Sequence, residues 1–484
     1  MGTLMKRHLV FVGSFVGTSL MGLTYLVVGI PKYFFGDDFL LLNASRSEGG
    51  YASSISSCVS DIGMGKWRPM FSCIASPMLK LFGDQYWYYF LTNLALIFFV
   101  CAVAGNLLQR IAKFPKWNAA FLAFVLPFSR FAWYGRISPF GVMEFGALLF
   151  ALFFLRQCGS ALARQTRSSW YIAGGLACLS ALFHERYLVL LGSLFLVSIF
   201  NVRNKRTPVP IVPWILFSGF YLAIKVFVLN IDPLISGGEV PLRSSAGTWI
   251  LEHFLAGLKA IVGIGNGTNL NFDQSGYLRL PGLGALGIAW LVALVLSVLI
   301  ILTWKATIHQ DVFISKSDVS KELVEQQIIM RQLLATSALL LIIPASTIIS
   351  RIEGRWLLGP EVFSFILVIG VLKSQKCRVV FMSCYLIFNV TCLKFLPDYE
   401  RPLRSTNEIL QYVDEKLDGR THMIYTLIYP RGPSGQLDWQ LGLKNKFKQL
   451  GVKSILYVDD ASCTGSCIRI VLEDSEYIKL ITNP

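Results

Sequence analysis

Two adjacent carboxylates, Asp37 and Asp38, stand in the stretch YFFGDDFLLL (residues 33–42), directly after a long apolar run. An apolar surround raises a carboxylate's proton affinity and an adjacent acid raises it again, the combination that makes a general base. A single acid at such a boundary would read as a helix cap or a solvated residue, whereas a pair set between phenylalanines and leucines asks for more. Basic residues recur in the other short polar breaks: Lys66 and Arg68 in GKWRPMF, Arg130 and Arg136 in SRFAWYGR, His184 to Arg186 in LFHERYLVLL, and Arg351, Glu353 and Arg355 in SRIEGRWLLGPEV. A lone arginine there would be an interfacial anchor; guanidinium groups collected from several turns would hold an anion. Phosphate suits them best, because the planar fork grips two of its oxygens at once. A base beside a bound phosphate can take a proton from an attacking hydroxyl while the arginines stabilise a departing phosphate, each effect worth roughly a hundredfold or more.

These residues must be positioned by membrane helices. A chain of 484 residues that is 54% hydrophobic and 15% charged is too apolar for a soluble enzyme of that length. The net charge of +15 is scattered between apolar runs. Nucleic-acid binders gather such charge on one face, so membrane orientation and anionic lipid explain it instead. Runs of about 20 apolar residues give about eleven spans, beginning near His8, Tyr86, Trp117, Phe140, Trp170, Tyr187, Ile211, Gly284, Leu333, Trp356 and Val379. The first, roughly residues 9–30, is too long for the apolar core of a signal peptide, about 7–15 residues.

Orientation follows from the basic loops. Lys6 and Arg7 precede the first span, and every second loop afterwards is basic, as with Arg156, Arg164 and Arg167, or Arg203, Lys205 and Arg206. The amino terminus is then cytoplasmic. Asp37, Asp38, the arginine-bearing turns and the last 85 or so residues face outward. Two outward loops, 31–85 and 232–283, are long, and each carries an apolar segment suited to the interface. The fold class is therefore an α-helical polytopic membrane region, 1–398, followed by a small extracytoplasmic α/β domain, 399–484. In that domain HMIYTLIYP, SILYVDD and CIRIVLED read as strands, and NEILQYVDEKL and DWQLGLKNKFKQLG as helices. Cys101, Cys178, Cys384 and Cys392 read as buried hydrophobes, whereas the spacing of Cys463 and Cys467 permits a local disulfide. Glu144, Lys225, Glu361 and Lys394 are the charges nearest to span interiors, and most can snorkel to a surface.

FFGDDF, GKWRPMF, LFHERYLVLL and EGRWLLGPEV, in that order between about residues 34 and 361, resemble the motifs of the GT-C superfamily of integral-membrane glycosyltransferases. Those enzymes use polyprenyl-phosphate sugars. Among bacterial members the chain looks most like enzymes that decorate O-antigen or other surface polysaccharide with glucose or a related sugar. The resemblance implies that Asp37 or Asp38 is the catalytic base and that Arg355 contacts the lipid phosphate, with Arg351, Arg186 and Arg68 as further candidates. His184 and Glu185 would line the site or orient acceptor and base, and Arg136 belongs to the same outward arginine set. Trp356 stands where relatives more often carry Tyr, and Gly354 separates Glu353 from Arg355, which leaves Glu353 without an assigned role. No cofactor is implied beyond the polyprenyl-phosphate sugar itself; some members hold a divalent metal, and a phosphate already gripped by arginines favours doing without one. The expected partners are that donor, a glycan or glycolipid acceptor and membrane lipid, with no nucleic acid, at the outer face of the cytoplasmic membrane. Competing readings are a polysaccharide polymerase or ligase, a transporter of lipid-linked glycan, and a scaffold whose tail is the working part. One-sided charge disfavours alternating access, and the early acidic loop matches monosaccharide transfer better than polymerisation.

Overall fold

A computed structural model describes residues 2–28, 41, 67–83, 85–112, 115–203, 210–228, 257–258, 261, 318–346, 354–372, 374–393, 424–428, 454–456, 467–474 and 477–482. The described part before residue 394 is helical: α1 Gly2–Val28, α2 Pro69–Phe82, α3 Tyr86–Ala112, α4 Lys116–Val125, α5 Trp133–Ile137, α6 Gly141–Arg164, α7 Arg167–Phe183, α8 Val189–Arg203, α9 Val212–Ala223, α10 Asp318–Ser346, α11 Leu358–Val371 and α12 Gln375–Cys392. Four segments among the described residues are long and apolar enough to cross a membrane, His8–Val27, Tyr86–Gln109, Gly141–Arg164 and Gln326–Pro344. Helix exteriors, those of shorter helices included, are apolar. Phe11, Phe15 and Leu23 on α1, Ile215, Leu216 and Phe220 on α9, and Val380 and Ile387 on α12 are all exposed. Apolar area spread over several helices in this way is matched by lipid and not by water.

Every span start read from hydropathy except Gly284 falls within one of these helices or in the cap or 3-10 turn that leads into one; Gly284 lies outside the described residues. One boundary differs. The helix expected near Leu333 begins at Asp318, because Lys321, Glu322 and Glu325 permit helix while suppressing the apolar signal. The segment after Arg68 is an apolar helix of 14 residues, α2. Pro69 opens it at the one position where a missing N–H costs nothing. Gly83 closes it at φ 54°, its N–H donating to Leu79 O at 3.0 Å. Of the loop 232–283, only Gly257, Leu258 and Ile261 are among the described residues.

Close helix approaches set the rest of the frame. Gly13 and Gly17, four residues apart and so on one face of α1, lie against the carbonyl oxygens of Ala120 and Phe124 on α4, where a Cβ would collide. Helices α6 and α7 form an antiparallel pair about Gln165, whose left-handed φ of 53° ends α6 with its N–H on Ala161 O at 2.9 Å. Ser180 Oγ of α7 then donates to Ala147 O of α6 at 2.7 Å. Gly146 lies against the Phe183 ring, where a Cβ would overlap it. This pairing brings the first turn of α6 beside the end of α7, where the HER triplet stands.

Beyond residue 394, four strands form one sheet in the order β2-β1-β3-β4 (β1 Ile424–Ile428, β2 Ser454–Leu456, β3 Cys467–Asp474, β4 Tyr477–Thr482). β1 pairs in parallel with both β2 and β3. The three expected strands are present. β4, antiparallel to β3, was not expected from the sequence, where Lys479 interrupts a short apolar run. The two expected tail helices lie outside the described residues, as do Cys463 and the side chain of Cys467.

Candidate functional site

Three stretches distant in sequence meet where α6 begins and α7 ends. Arg68, the residue that caps α2, reaches across to Glu185 in the 3-10 turn Glu185–Leu188: its Nε donates to Oε2 at 2.6 Å and its Nη2 to Oε1 at 2.7 Å. Its remaining Nη1 touches Met143 Sδ of α6 at 3.0 Å. This is a two-pronged, charge-assisted pair, and only 4% of the Arg68 side chain is exposed. Burial, the largest single effect, would push the Glu185 carboxyl up, yet the neighbouring positive charge, that of Arg68 first, and the Arg68 hydrogen bonds together outweigh it and hold the group well below the usual carboxylate range. Glu185 is therefore ionised, and its charge is committed to Arg68.

His184 caps the same 3-10 turn. Its Nδ1 accepts the Arg186 backbone N–H at 3.4 Å, which leaves the ring proton on Nε2, 3.5 Å from Glu144 Oε1. Burial, then the Arg186 and Arg68 charges, push the imidazole down to about 4 against the opposing pull of Glu144 and Glu185. At neutral pH it is uncharged, so its proximity to two carboxylates is not an ion pair. Arg186 Nη1 lies 4.0 Å from the same Glu144 oxygen, and its guanidinium carbon sits 3.6 Å from the centre of the Trp356 ring, a cation–π stack. Trp356 belongs to the 3-10 turn Gly354–Leu357, the EGRW stretch. Beside these, Tyr221 packs on Trp67 with ring centres 4.8 Å apart and donates to Trp67 O at 2.7 Å. One turn on, in the π-helical turn Ile224–Val228, Lys225 adds a positive charge that acts on Glu185. Three cations, Arg68, Arg186 and Lys225, thus stand with two carboxylates among the described residues, and the surplus favours an anion.

A second buried polar group adjoins the same elements. Arg136 of α5 has no solvent exposure; its Nη2 donates to the carbonyl oxygens of Pro127 and Ser129, and its guanidinium carbon lies 5.3 Å from the Tyr25 ring centre. The Ser129 hydroxyl donates to Glu361 Oε2 on α11. Arg130 stacks on the rings of Phe131 and Phe388 at 4.5 and 4.7 Å, and its backbone N–H donates to Asn389 Oδ1 at 3.0 Å. Asn93 of α3 clamps the turn leading to α6, its Nδ2 donating to Gly135 O at 2.7 Å and Ser138 O at 2.8 Å. Gly141 sits so tightly under Gly135 O and the Asn93 amide that a Cβ there would overlap both. α11 follows directly on the Trp356 turn, so a single segment touches both groups.

The structure thus brings Arg68, His184, Glu185 and Arg186 into one cluster. Arg136 is held within the second group by backbone carbonyls. Asp37, Asp38, Arg351 and Glu353 lie outside the described residues; Arg355 is in the 3-10 turn beside Trp356, its side chain outside them. Glu144, Lys225 and Glu361, which snorkelling would have brought to a surface, are buried instead, and Lys394 lies outside the described residues. Their isolation inside apolar runs was the available signal, since a charge that a span retains needs a partner. Among the described residues no trio of His, Cys, Asp or Glu stands in metal-holding geometry. Cys73 on α2 is disulfide-bonded, whereas Cys101, Cys158, Cys178, Cys377, Cys384 and Cys392 are free thiols. No family model matches the chain and no curated protein is significantly similar to it.

Proposed function

We propose that this chain is a membrane glycosyltransferase of the GT-C kind, moving a monosaccharide from a polyprenyl-phosphate donor to a surface glycan or glycolipid acceptor. One observation carries the reading: the GKWRP, HER and EGRW stretches, separated by more than a hundred residues each, converge through Arg68–Glu185 and Arg186–Trp356. In this reading Asp37 or Asp38 removes the acceptor proton, while Arg186, Arg351 and Arg355 hold the donor phosphate and stabilise it as it leaves. Arg68 fixes Glu185 and with it the turn that carries His184 and Arg186. Neutral His184 adds no charge of its own to the cluster, and Arg186, stacked on Trp356, stands on the same turn. The site opens at the outer face of the cytoplasmic membrane, with the amino terminus inside and the sheet of residues 424–482 belonging to an external α/β domain. The Cys73 disulfide supports that placement of the first loop, because such bonds persist in oxidising compartments.

The test is to incubate the purified protein with a panel of polyprenyl-phosphate sugars and follow donor consumption and transfer. One donor is expected to be consumed; a transporter or scaffold would consume none. Asp37→Asn and Asp38→Asn, made separately, are expected to leave expression and melting temperature unchanged while one of them lowers transfer about a hundredfold or more. Full activity in both would remove the base from this mechanism. Arg355→Lys keeps the charge but loses the two-pronged grip and is expected to raise KM for the donor; an unchanged KM would take Arg355 off the phosphate.

A further inference from the structure

Toward the other end of α6, about 14 to 30 Å from Glu144 at 1.5 Å per residue, a groove of about 280 Å3 is lined by Phe153, Arg156, Gln157, Ser160 and Arg164 of α6 and by Leu176 of α7. We propose that this groove binds the phosphate of an anionic phospholipid. It is separate from the cluster around Glu185 and does not rest on the glycosyltransferase reading.

Helical spacing makes the groove a single stripe. Residues 153, 156, 157, 160 and 164 recur at three- and four-residue intervals and so share one face of α6. Its polarity is graded along the helix. Arg164 is exposed in the last turn, Arg156 is half-buried about 12 Å further in, and Phe153 and Leu176 lie at the apolar end. That gradient matches a lipid, charged at the surface and apolar just beneath it, and does not match a soluble phosphate, which has no use for the apolar end. The two guanidinium forks would take the phosphate oxygens. Between them Gln157, whose Nε2 donates to Ser169 O at 3.5 Å, and Ser160, whose hydroxyl donates to Arg156 O at 3.3 Å, make the middle of the groove polar. Arg156, expected from sequence in a basic loop, lies instead two turns inside the helix, where an opposing charge favours a cation. Arg164 gains from the negative end of the helix dipole; Arg156, further in, gains less.

Full-length protein, stripped of lipid in detergent, is offered dioleoyl-phosphatidylglycerol, dioleoylglycerol or sn-glycerol 3-phosphate, and retained ligand is counted by native mass spectrometry. Phosphatidylglycerol is expected to be retained and to raise the melting temperature. Dioleoylglycerol, which keeps the chains and lacks the phosphate, is expected to do neither. Retention of glycerol 3-phosphate equal to that of phosphatidylglycerol would overturn the lipid assignment. Arg156→Gln with Arg164→Gln is expected to lower phosphatidylglycerol affinity about tenfold or more. Should that pair fail to elute as a single species, Arg164→Gln alone, at an exposed position, carries the same expectation at smaller size. Arg167→Gln, outside the groove, is the control: an equal loss there, or none in the groove variants, overturns the proposal.

Discussion

The two buried polar groups of the bundle neutralise their arginines by different means. In the second group, the Arg136 guanidinium meets backbone carbonyls of Pro127 and Ser129 and the face of Tyr25. Those partners are parts of the frame and cannot be exchanged without moving it. In the group around Glu185, the partners include side-chain carboxylates: Arg68 pairs with Glu185, and Arg186 lies over the Trp356 ring and 4.0 Å from Glu144. Charges set by backbone hold a fold together, whereas charges matched by side chains can be re-matched by an incoming anion. Both groups have low exposure, so burial alone does not separate them; the identity of the partners does.

That contrast can be broken first at Arg68. Arg68→Ala leaves the Glu185 carboxylate buried without its partner and is expected to cost about 3–5 kcal/mol, read as a large fall in melting temperature and in the yield of monodisperse protein. Arg68→Ala combined with Glu185→Ala is expected to recover most of that loss, because no charge is then stranded. A double variant as unstable as the single one would show that the pair is not the unit described here.

The pH response should be next in size. With His184 at about 4 in the folded protein against 6.5 ordinarily, the unfolded chain binds a proton between those values that the folded chain refuses. Stability is therefore full above pH 6.5 and is lost as pH falls toward 4, by up to about 3 kcal/mol at 1.36 kcal/mol per unit. Glu185, held low by Arg68, adds a further loss below its ordinary value of 4.5. In melting curves His184→Asn is expected to lose less stability than the parent between pH 6.5 and 4.5; an identical pH dependence would place the titrating group elsewhere. The smallest effect is expected at Arg136→Met, which leaves two carbonyls short of a donor and costs about 1–3 kcal/mol. Its KM for the polyprenyl-phosphate donor should equal that of the parent, whereas a raised KM would move Arg136 from the frame to the site.

The helices were legible because lipid-matched helices announce themselves as apolar runs, and the positions of α1, α3, α6, α7 and α11 follow directly from theirs. Hydropathy is silent where a helix turns polar, so the first half of α10 was missed. The chemistry-bearing stretches were legible as charges in short turns, and Arg68, His184, Glu185 and Arg186 do share one cluster. Their pairing was not. Arg68 and Glu185 are 117 residues apart, and no local spacing encodes which arginine a carboxylate will choose. The burial of Lys225 was hidden for another reason: a flexible stem can carry its charge outward from almost any depth, and only the π-turn and the neighbouring Glu185 decide that it turns inward.

The glycines that hold the frame have a use of their own. At Gly13 and Gly17 on α1 and at Gly141 ahead of the first cluster, even a methyl group would strike a carbonyl oxygen of a neighbouring segment. Kin that keep this architecture must carry glycine at all three places however far the remaining positions have drifted. Together with the HER turn they form a sparse fingerprint, four fixed points along the chain by which distant cousins can be recognised when ordinary similarity has worn away.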